Sequence, residues 1–318
     1  MQSKFDLVVV GTSFASTFFL KRYLEKAASD TKILVLERGF LFPHKDRLKA
    51  KTSNVKLSIE KAGRTYKTDA SKIWVFDPNF GGSSNCWTAC TPRFLPNDFK
   101  LRSKYGVGQD WPITYDDIEG YYNEVEKIMD VAGPSTTPFP KTAPYPLPPH
   151  KLSSVDKLLQ AEYGDKYISQ PAARASINLP HRGMCCTSSV CDLCPVNSKF
   201  TIENTLSSVY DDERVSLEYG CQVIGLGTTS DNAKSLTFIR DGAERTVQGE
   251  TFAIGANAVF NAHILLNSGD GNENTGGGIC EQVGRFARFY YNGLDNVGGG
   301  SIITANGYMM YDGDHRKD

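Results

Sequence analysis

Phe5-Asp-Leu-Val-Val-Val-Gly-Thr-Ser-Phe-Ala-Ser16 decides the fold of this chain. An apolar run at 5–10 meets Gly11 and a string of small residues. An apolar helical stretch follows, and a second strand, Ile33-Leu-Val-Leu36, ends at Glu37-Arg38-Gly39. This is the pattern of a βαβ unit that binds a dinucleotide. Gly11 permits the tight turn, the helix N-terminus faces a pyrophosphate, and Glu37 stands where a carboxylate takes a ribose hydroxyl. Ser13 and Ser16 occupy positions where the fingerprint has Gly, and Gly or Ala. Small side chains still allow a close phosphate approach. A glycine turn after a strand is often only a turn; the strand before, the helix after and the acid at 37 favour a nucleotide.

The 318 residues suffice for two domains with a sizeable core. A formal net charge of -1 argues against nucleic acid as partner. No apolar run approaches the ~18–20 residues of a membrane span. The first core strand starts within a few residues of Met1, so the expectation is no signal peptide and a cytoplasmic chain. Export with a partner subunit would make it periplasmic.

Further along, residues 43–72 are charged and weakly patterned, consistent with loops and a helix. Gly81-Gly82-Ser83-Ser84-Asn85 can turn several backbone N–H groups toward an anion or a polar ring edge. Residues 114–132 predict an amphipathic helix, capped by Thr114 and stopped at Gly133-Pro134. Its expected inner face is Ile118, Tyr121, Tyr122, Val125, Ile128 and Met129. Residues 134–149 hold seven of the fifteen prolines and read as a stiff, extended connector crossing a surface. Phe200–Val209 looks helical. From 214 to 254 there are five β-runs (215–219, 222–225, 235–239, 245–248 and 251–254), with turns at Asp231-Asn232 and Asp241-Gly242. A helix over 258–266 and a Gly- and Asn-rich loop follow.

Cys86, Cys90, Cys221 and Cys280 are scattered, whereas Cys185, Cys186, Cys191 and Cys194 form a C-C-x4-C-x2-C cluster. Four thiols so spaced suit an iron–sulfur centre, a zinc ion or disulfides. Adjacent cysteines pair poorly, which disfavours disulfides. Zinc sites usually use C-x2-C pairs, so Cys185-Cys186 fits zinc less well. Iron–sulfur, zinc and structural thiols stay open on spacing alone.

Four ordered segments resemble the glucose–methanol–choline (GMC) family of FAD oxidoreductases. They are the opening turn with Glu37-Arg38-Gly39, the Gly81–Ser84 loop running to Arg93, Asp110-Trp-Pro-Ile113 with its Tyr-Tyr helix, and Thr251-Phe-Ala-Ile-Gly-Ala-Asn257 leading to His263-Ile-Leu-Leu-Asn-Ser268. The resemblance implies an α/β fold: a Rossmann-like FAD-binding domain (parallel sheet plus β-meander), an inserted cap and a truncated α+β substrate domain. The implied boundaries are 1–100 and 205–285 for the FAD domain, 101–204 for the cap with the cysteines, and 286–318 for the start of the substrate domain. It implies Gly11, Ser13 and Phe14 at the pyrophosphate, Glu37 at the ribose, and Gly82, Ser83 and Asn85 near the diphosphate and flavin. Val223 resembles the position that pairs with the adenine edge, and Gly255-Ala256 the strand end beside the cofactor.

The cysteine segment resembles that of the large subunits of bacterial sugar dehydrogenases. There the adjacent pair and the next cysteine hold a [3Fe-4S] cluster that passes electrons from FAD to a cytochrome. The corresponding residues are Cys185, Cys186 and Cys191, with Cys194 either spare or completing a [4Fe-4S] or zinc site. The implied activity is oxidation of the CH–OH group of an alcohol or sugar by a dehydrogenase with an electron-carrier or small-subunit partner. A non-catalytic nucleotide-binding fragment with structural zinc, and an NAD-linked dehydrogenase, are the competing readings. The family's catalytic histidine lies beyond position 318, so the expectation is a fragment or half of a split enzyme, with no catalytic residue assigned. His44 and His150 read as surface residues, His181 as close to the cysteine centre, His263 as packing or capping its helix and His315 as solvated.

Overall fold

The computed structural model of the protein describes residues 4–51, 74–188, 190–229, 232–279, 287, 290, 292–293 and 305–317. Most of the 43–72 stretch, Asp231 of one expected turn, Cys280 and much of 286–318 lie outside the described residues. The regular elements run β1 (Lys4–Val10), α1 (Phe14–Leu24), β2 (Ile33–Leu36), α2 (His44–Ala50), α3 (Leu101–Tyr105), α4 (Tyr115–Ile128), α5 (Ser154–Tyr163) and β3 (Ile168–Ser169). They continue with β4 (Val215–Glu218), β5 (Gln222–Thr229), β6 (Asn232–Arg240), β7 (Ala243–Ile254), α6 (Ala258–Asn267) and β8 (Ala305–Asn306). The chain divides into two compact units. One comprises Met1–Cys86 with Thr201–Arg288, the other Trp87–Phe200 with Phe289–Asp318.

The first unit is built on a six-stranded sheet in the order β4-β2-β1-β7-β6-β5. The pairs β4–β2, β2–β1 and β1–β7 are parallel, and β7–β6 and β6–β5 are antiparallel. The expected Rossmann-like sheet plus meander is therefore present. Leu7, Val8 and Val9 of β1 are fully buried, which is why this central strand reads as an unbroken apolar run. Val8, Val10, Leu34, Leu36, Leu236, Phe238 and Val247 share one core cluster.

The β-runs at 245–248 and 251–254 are one strand, contrary to the sequence reading. Residues 243–248 of β7 pair with β6, and 248–254 pair with β1. Gly249 sits at that change of partner, and a Cβ there would come within 2.9 Å of Val8. The glycine that reads as an interruption is thus a point of close packing. The Phe200–Val209 helix is a short π-helix at Ile202–Leu206 followed by a 3-10 turn at Ser207–Asp211.

In the second unit, Thr114 caps α4 through a capping box with Asp117. The inner face differs from expectation, because Tyr121 is exposed while Tyr115 and Glu126 are buried. The cause is Arg93, which is itself buried. Its guanidinium donates to both Glu126 oxygens at 2.7 and 2.9 Å, to Asn123 at 2.6 Å and to Glu119 at 3.1 Å. A buried cation draws the carboxylates inward beside Ile118, Tyr122, Val125, Ile128 and Met129, none of which is exposed. Lys141, from the proline-rich connector, also binds Glu126. That connector is pinned to its own unit by the buried Phe139, Tyr145 and Leu147, and Leu147 exchanges backbone bonds with Val131 and Gly133.

Candidate functional site

Within the first unit, the carboxyl ends of β1, β2 and β7 open onto a cavity of about 550 Å³. Gly11, Ser13, Phe14, Glu37, Gly82, Ser83, Val223 and Ala256 all line it. Asn85 does not. Its amide donates to the Phe80 carbonyl at 2.8 Å and accepts from Arg47 at 3.4 Å, so it braces the Gly81–Ser84 loop from behind. Val223 serves two roles, packing on the sheet core and lining the cavity beside a β-bulge.

Gly11 has φ +85 and Gly81 φ +85, the left-handed turns that only glycine adopts without cost. The serines at fingerprint positions 13 and 16 are accommodated by glycines across from them. A Cβ on Gly82 would lie 2.6 Å from Ser13 Cβ, and one on Gly255 would lie 2.0 Å from Ser16 Oγ. The close approach that the fingerprint builds into the first helix is supplied here by the facing loop and strand. Ser16 Oγ then donates to the Val10 carbonyl at 2.8 Å.

Glu37 is buried at the end of β2. Burial pushes its carboxyl above the ordinary value, and hydrogen bonds from Gly39 and Thr12 work against that shift. The Gly39 N–H donates to one oxygen at 2.9 Å and Thr12 Oγ1 to the other at 2.6 Å. Thr12 Oγ1 also accepts the Gly81 N–H at 2.9 Å. One buried hydroxyl thus ties the acid to the glycine loop. Sequence reasoning missed Thr12, whose position in the fingerprint is ordinarily free, so no local signal marks it.

Asp77, Arg38, Phe76 and Phe260, also unforeseen, line the same cavity. Burial raises the Asp77 carboxyl, against hydrogen bonds from Asn79 and Asn85. The Arg38 guanidinium stands 5.7 Å from the Phe260 ring centre, and Phe76 packs on that ring at 5.0 Å. His263 lines the cavity too and is exposed on α6, 3.5 Å from Asn267 Nδ2. It does not fill a core position.

In the second unit, Cys185, Cys186, Cys191 and Cys194 line one small cleft together with Arg174 and Lys199. Cys191 and Cys194 are buried and Cys186 is exposed. Cys191 Sγ lies 3.8 Å from Arg174 Nη1, and Cys194 Sγ accepts the Ser198 N–H at 3.2 Å. Thr187 adopts φ 52, an uncommon conformation for a β-branched residue, next to the adjacent cysteine pair. The cleft holds about 10 Å³, room for roughly one water. Among the described residues, no three His, Cys, Asp or Glu side chains stand at metal-binding geometry. Thiols are the donor type of a thiolate-held metal centre, but the described cysteines are not arranged to hold one in this structure.

His181 lies 3.7 Å from Asp130 and does not line the cleft. His150 is half-buried, contrary to the surface expectation. Burial and the neighbouring Arg174 push it down to about 4, and its Nε2 faces the Arg174 carbonyl at 3.1 Å.

No protein-family model matches the chain. The chain is 28% identical over 265 residues to the fructose dehydrogenase large subunit of Gluconobacter japonicus, covering 75% of this chain and 47% of that protein. The crystal structure of pyridoxine 4-oxidase from Mesorbium loti superposes with TM-score 0.55 at 18% identity, over 83% of this chain and 52% of that one. An FAD-dependent oxidoreductase from Chaetomium thermophilum superposes with TM-score 0.52 at 13% identity, over 83% and 47%. In sequence and fold the chain is similar to FAD-dependent oxidoreductases of the GMC type. It spans about half the length of the relatives it matches. Within the GMC fold, the cavity occupies the carboxyl edge of the parallel strands, where α/β sheets bind ligands. Among the described residues no helix is long and apolar enough to cross a membrane.

Proposed function

We propose that this protein is an FAD-dependent oxidoreductase acting on the CH–OH group of an alcohol or sugar, and that its cysteine cluster holds an iron–sulfur centre leading to a partner electron carrier. The observation that carries the reading is the convergence of Gly11, Ser13, Phe14, Glu37, Gly82, Ser83, Val223 and Ala256 on one cavity. In this reading the Gly11 turn and the start of α1 receive the pyrophosphate, and Glu37 takes the ribose hydroxyls. Gly82 and Ser83 approach the diphosphate and flavin. Val223 meets the adenine edge, Ala256 flanks the cofactor, and Asn85 holds the loop in shape. Bound FAD supplies the hydride acceptor, and a thiolate-held cluster supplies a one-electron exit.

The fructose dehydrogenase relative is called a large subunit, which supports a partner subunit here. Its name also supports a dehydrogenase, and the boundaries 1–100, 101–204, 205–285 and 286–318 remain the proposed division into FAD, cap and substrate regions. The test is an FAD titration of the purified chain by flavin fluorescence quenching, with NAD as competitor, plus anaerobic iron and zinc analysis. Saturable FAD binding that NAD does not displace supports the reading, and displacement by NAD overturns it in favour of a nicotinamide enzyme. Iron in the absence of zinc supports the cluster; stoichiometric zinc without iron leaves a metal-stapled flavoprotein.

A further inference from the structure

We propose that Arg38, stacked on Phe260, is the residue by which the cavity recognises the adenine ring of its dinucleotide. The inference rests on the cofactor reading above, which places Glu37 at the ribose and Val223 at the adenine edge and leaves the faces of the ring unassigned.

Three segments of the first unit bring this wall together. Arg38 follows β2, Phe76 precedes the Gly81–Ser84 loop, and α6 carries Phe260 and His263 three residues apart on one helical face. All four line the cavity. The Cys221 N–H donates to the Glu37 carbonyl at 2.9 Å. That bond ties the start of β5, and with it Val223, to the end of β2 where Arg38 stands. The guanidinium lies 5.7 Å from the Phe260 ring centre, and Phe76 backs that ring at 5.0 Å.

Among the described residues lining the cavity, Arg38 is the only lysine or arginine, and it is half-buried. Its guanidinium makes no hydrogen bond or ion pair with any described residue. Each Glu37 oxygen already accepts a bond, one from Gly39 and the other from Thr12. A guanidinium held against an aromatic ring is a flat cation with a second face, and planar bases stack on such faces. The competing occupant of an arginine beside this acid is the 2′-phosphate of a nicotinamide dinucleotide. Glu37, adjacent in sequence, and Asp77, in the same cavity, are buried carboxylates, and a phosphate there would meet both. An uncharged purine meets no such opposition.

The experiment is calorimetric titration of the full chain with ADP and UDP, which share ribose and diphosphate and differ in the base. Wild type is compared with Arg38→Ala, Arg38→Lys and Phe260→Leu, with urea unfolding of each; the last two carry the test if Arg38→Ala does not fold. Wild type should bind ADP more tightly than UDP. Both Arg38 variants should weaken ADP by about 5- to 150-fold and UDP by less, so that the preference for adenine narrows. Phe260→Leu should act in the same direction. Equal weakening of ADP and UDP overturns the proposal, because Arg38 then acts on the sugar, the diphosphate or the fold. Full ADP affinity in Arg38→Lys overturns it too, leaving charge in place of the flat group. Tighter binding of adenosine 2′,5′-bisphosphate than of AMP by the wild type assigns Arg38 to a phosphate and overturns it as well. Failure of the wild type to bind FAD or ADP at all refutes the cofactor reading itself, so the two failures are told apart.

Discussion

Thr12→Val is the most direct probe of how the cofactor cavity is assembled. The Thr12 side chain is 1% exposed, donates to Glu37 at 2.6 Å and accepts from Gly81 at 2.9 Å. Valine keeps nearly the same shape and removes the hydroxyl. A buried carboxylate oxygen and a buried N–H then each lose a partner, at about 1–3 kcal/mol apiece. The unfolding free energy should fall by about 2–6 kcal/mol. Glu37 also loses the bond that aims it. On the proposed reading, forfeiting one charge-assisted ribose contact of about 1.5–3 kcal/mol would weaken FAD binding by roughly 10- to 150-fold. Fluorescence titration with FAD reads the affinity, and urea unfolding at the same pH reads the stability. Thr12→Ser retains the hydroxyl and should bind FAD within a few-fold of wild type. If Thr12→Val binds FAD as tightly as Thr12→Ser, the coupling of acid to loop through this hydroxyl is wrong.

Three further outcomes follow from the geometry. Gly255→Ala should destabilise the first unit by about 1–3 kcal/mol through overpacking against Ser16. Adding Ser16→Gly should recover most of that loss, and a double-mutant cycle without recovery would break the pairing argument. Arg93→Met leaves the buried Glu126 with Lys141 but without its guanidinium, strips Glu119 and Asn123 of a donor, and should cost about 3–5 kcal/mol in denaturant unfolding. A cost below 1 kcal/mol would mean the network is solvated. His150 titrates near about 4 when folded, against an ordinary 6.5. Because the folded value is depressed, this residue's contribution to stability is present above pH 6.5 and is lost as pH falls from there toward about 4. His150→Asn should flatten that part of the stability–pH curve, and an unchanged curve would show that His150 is not its source.

The βαβ start was legible because its information is local. An apolar run, a glycine at a tight turn and an acid at the next strand's end dictate their own backbone within a few residues. Gly11, Glu37 and the Gly82–Ser83 loop could therefore be named from sequence, and so could the capped start of α4. Reading β7 as two strands failed at Gly249, where the sequence pattern carries only the missing side chain and not the Val8 methyl it makes room for.

What the sequence determined by itself was the family pattern, the cysteine cluster and the residue types available for binding. The tertiary structure decided which of them meet. Thr12 joins Glu37 to Gly81 across 25 and 69 positions of chain. Arg93 turns Glu126 inward across 33 positions. The physical reason is shared by both. The free energy of a buried charge or hydroxyl depends on partners supplied from distant segments, and no local pattern records them.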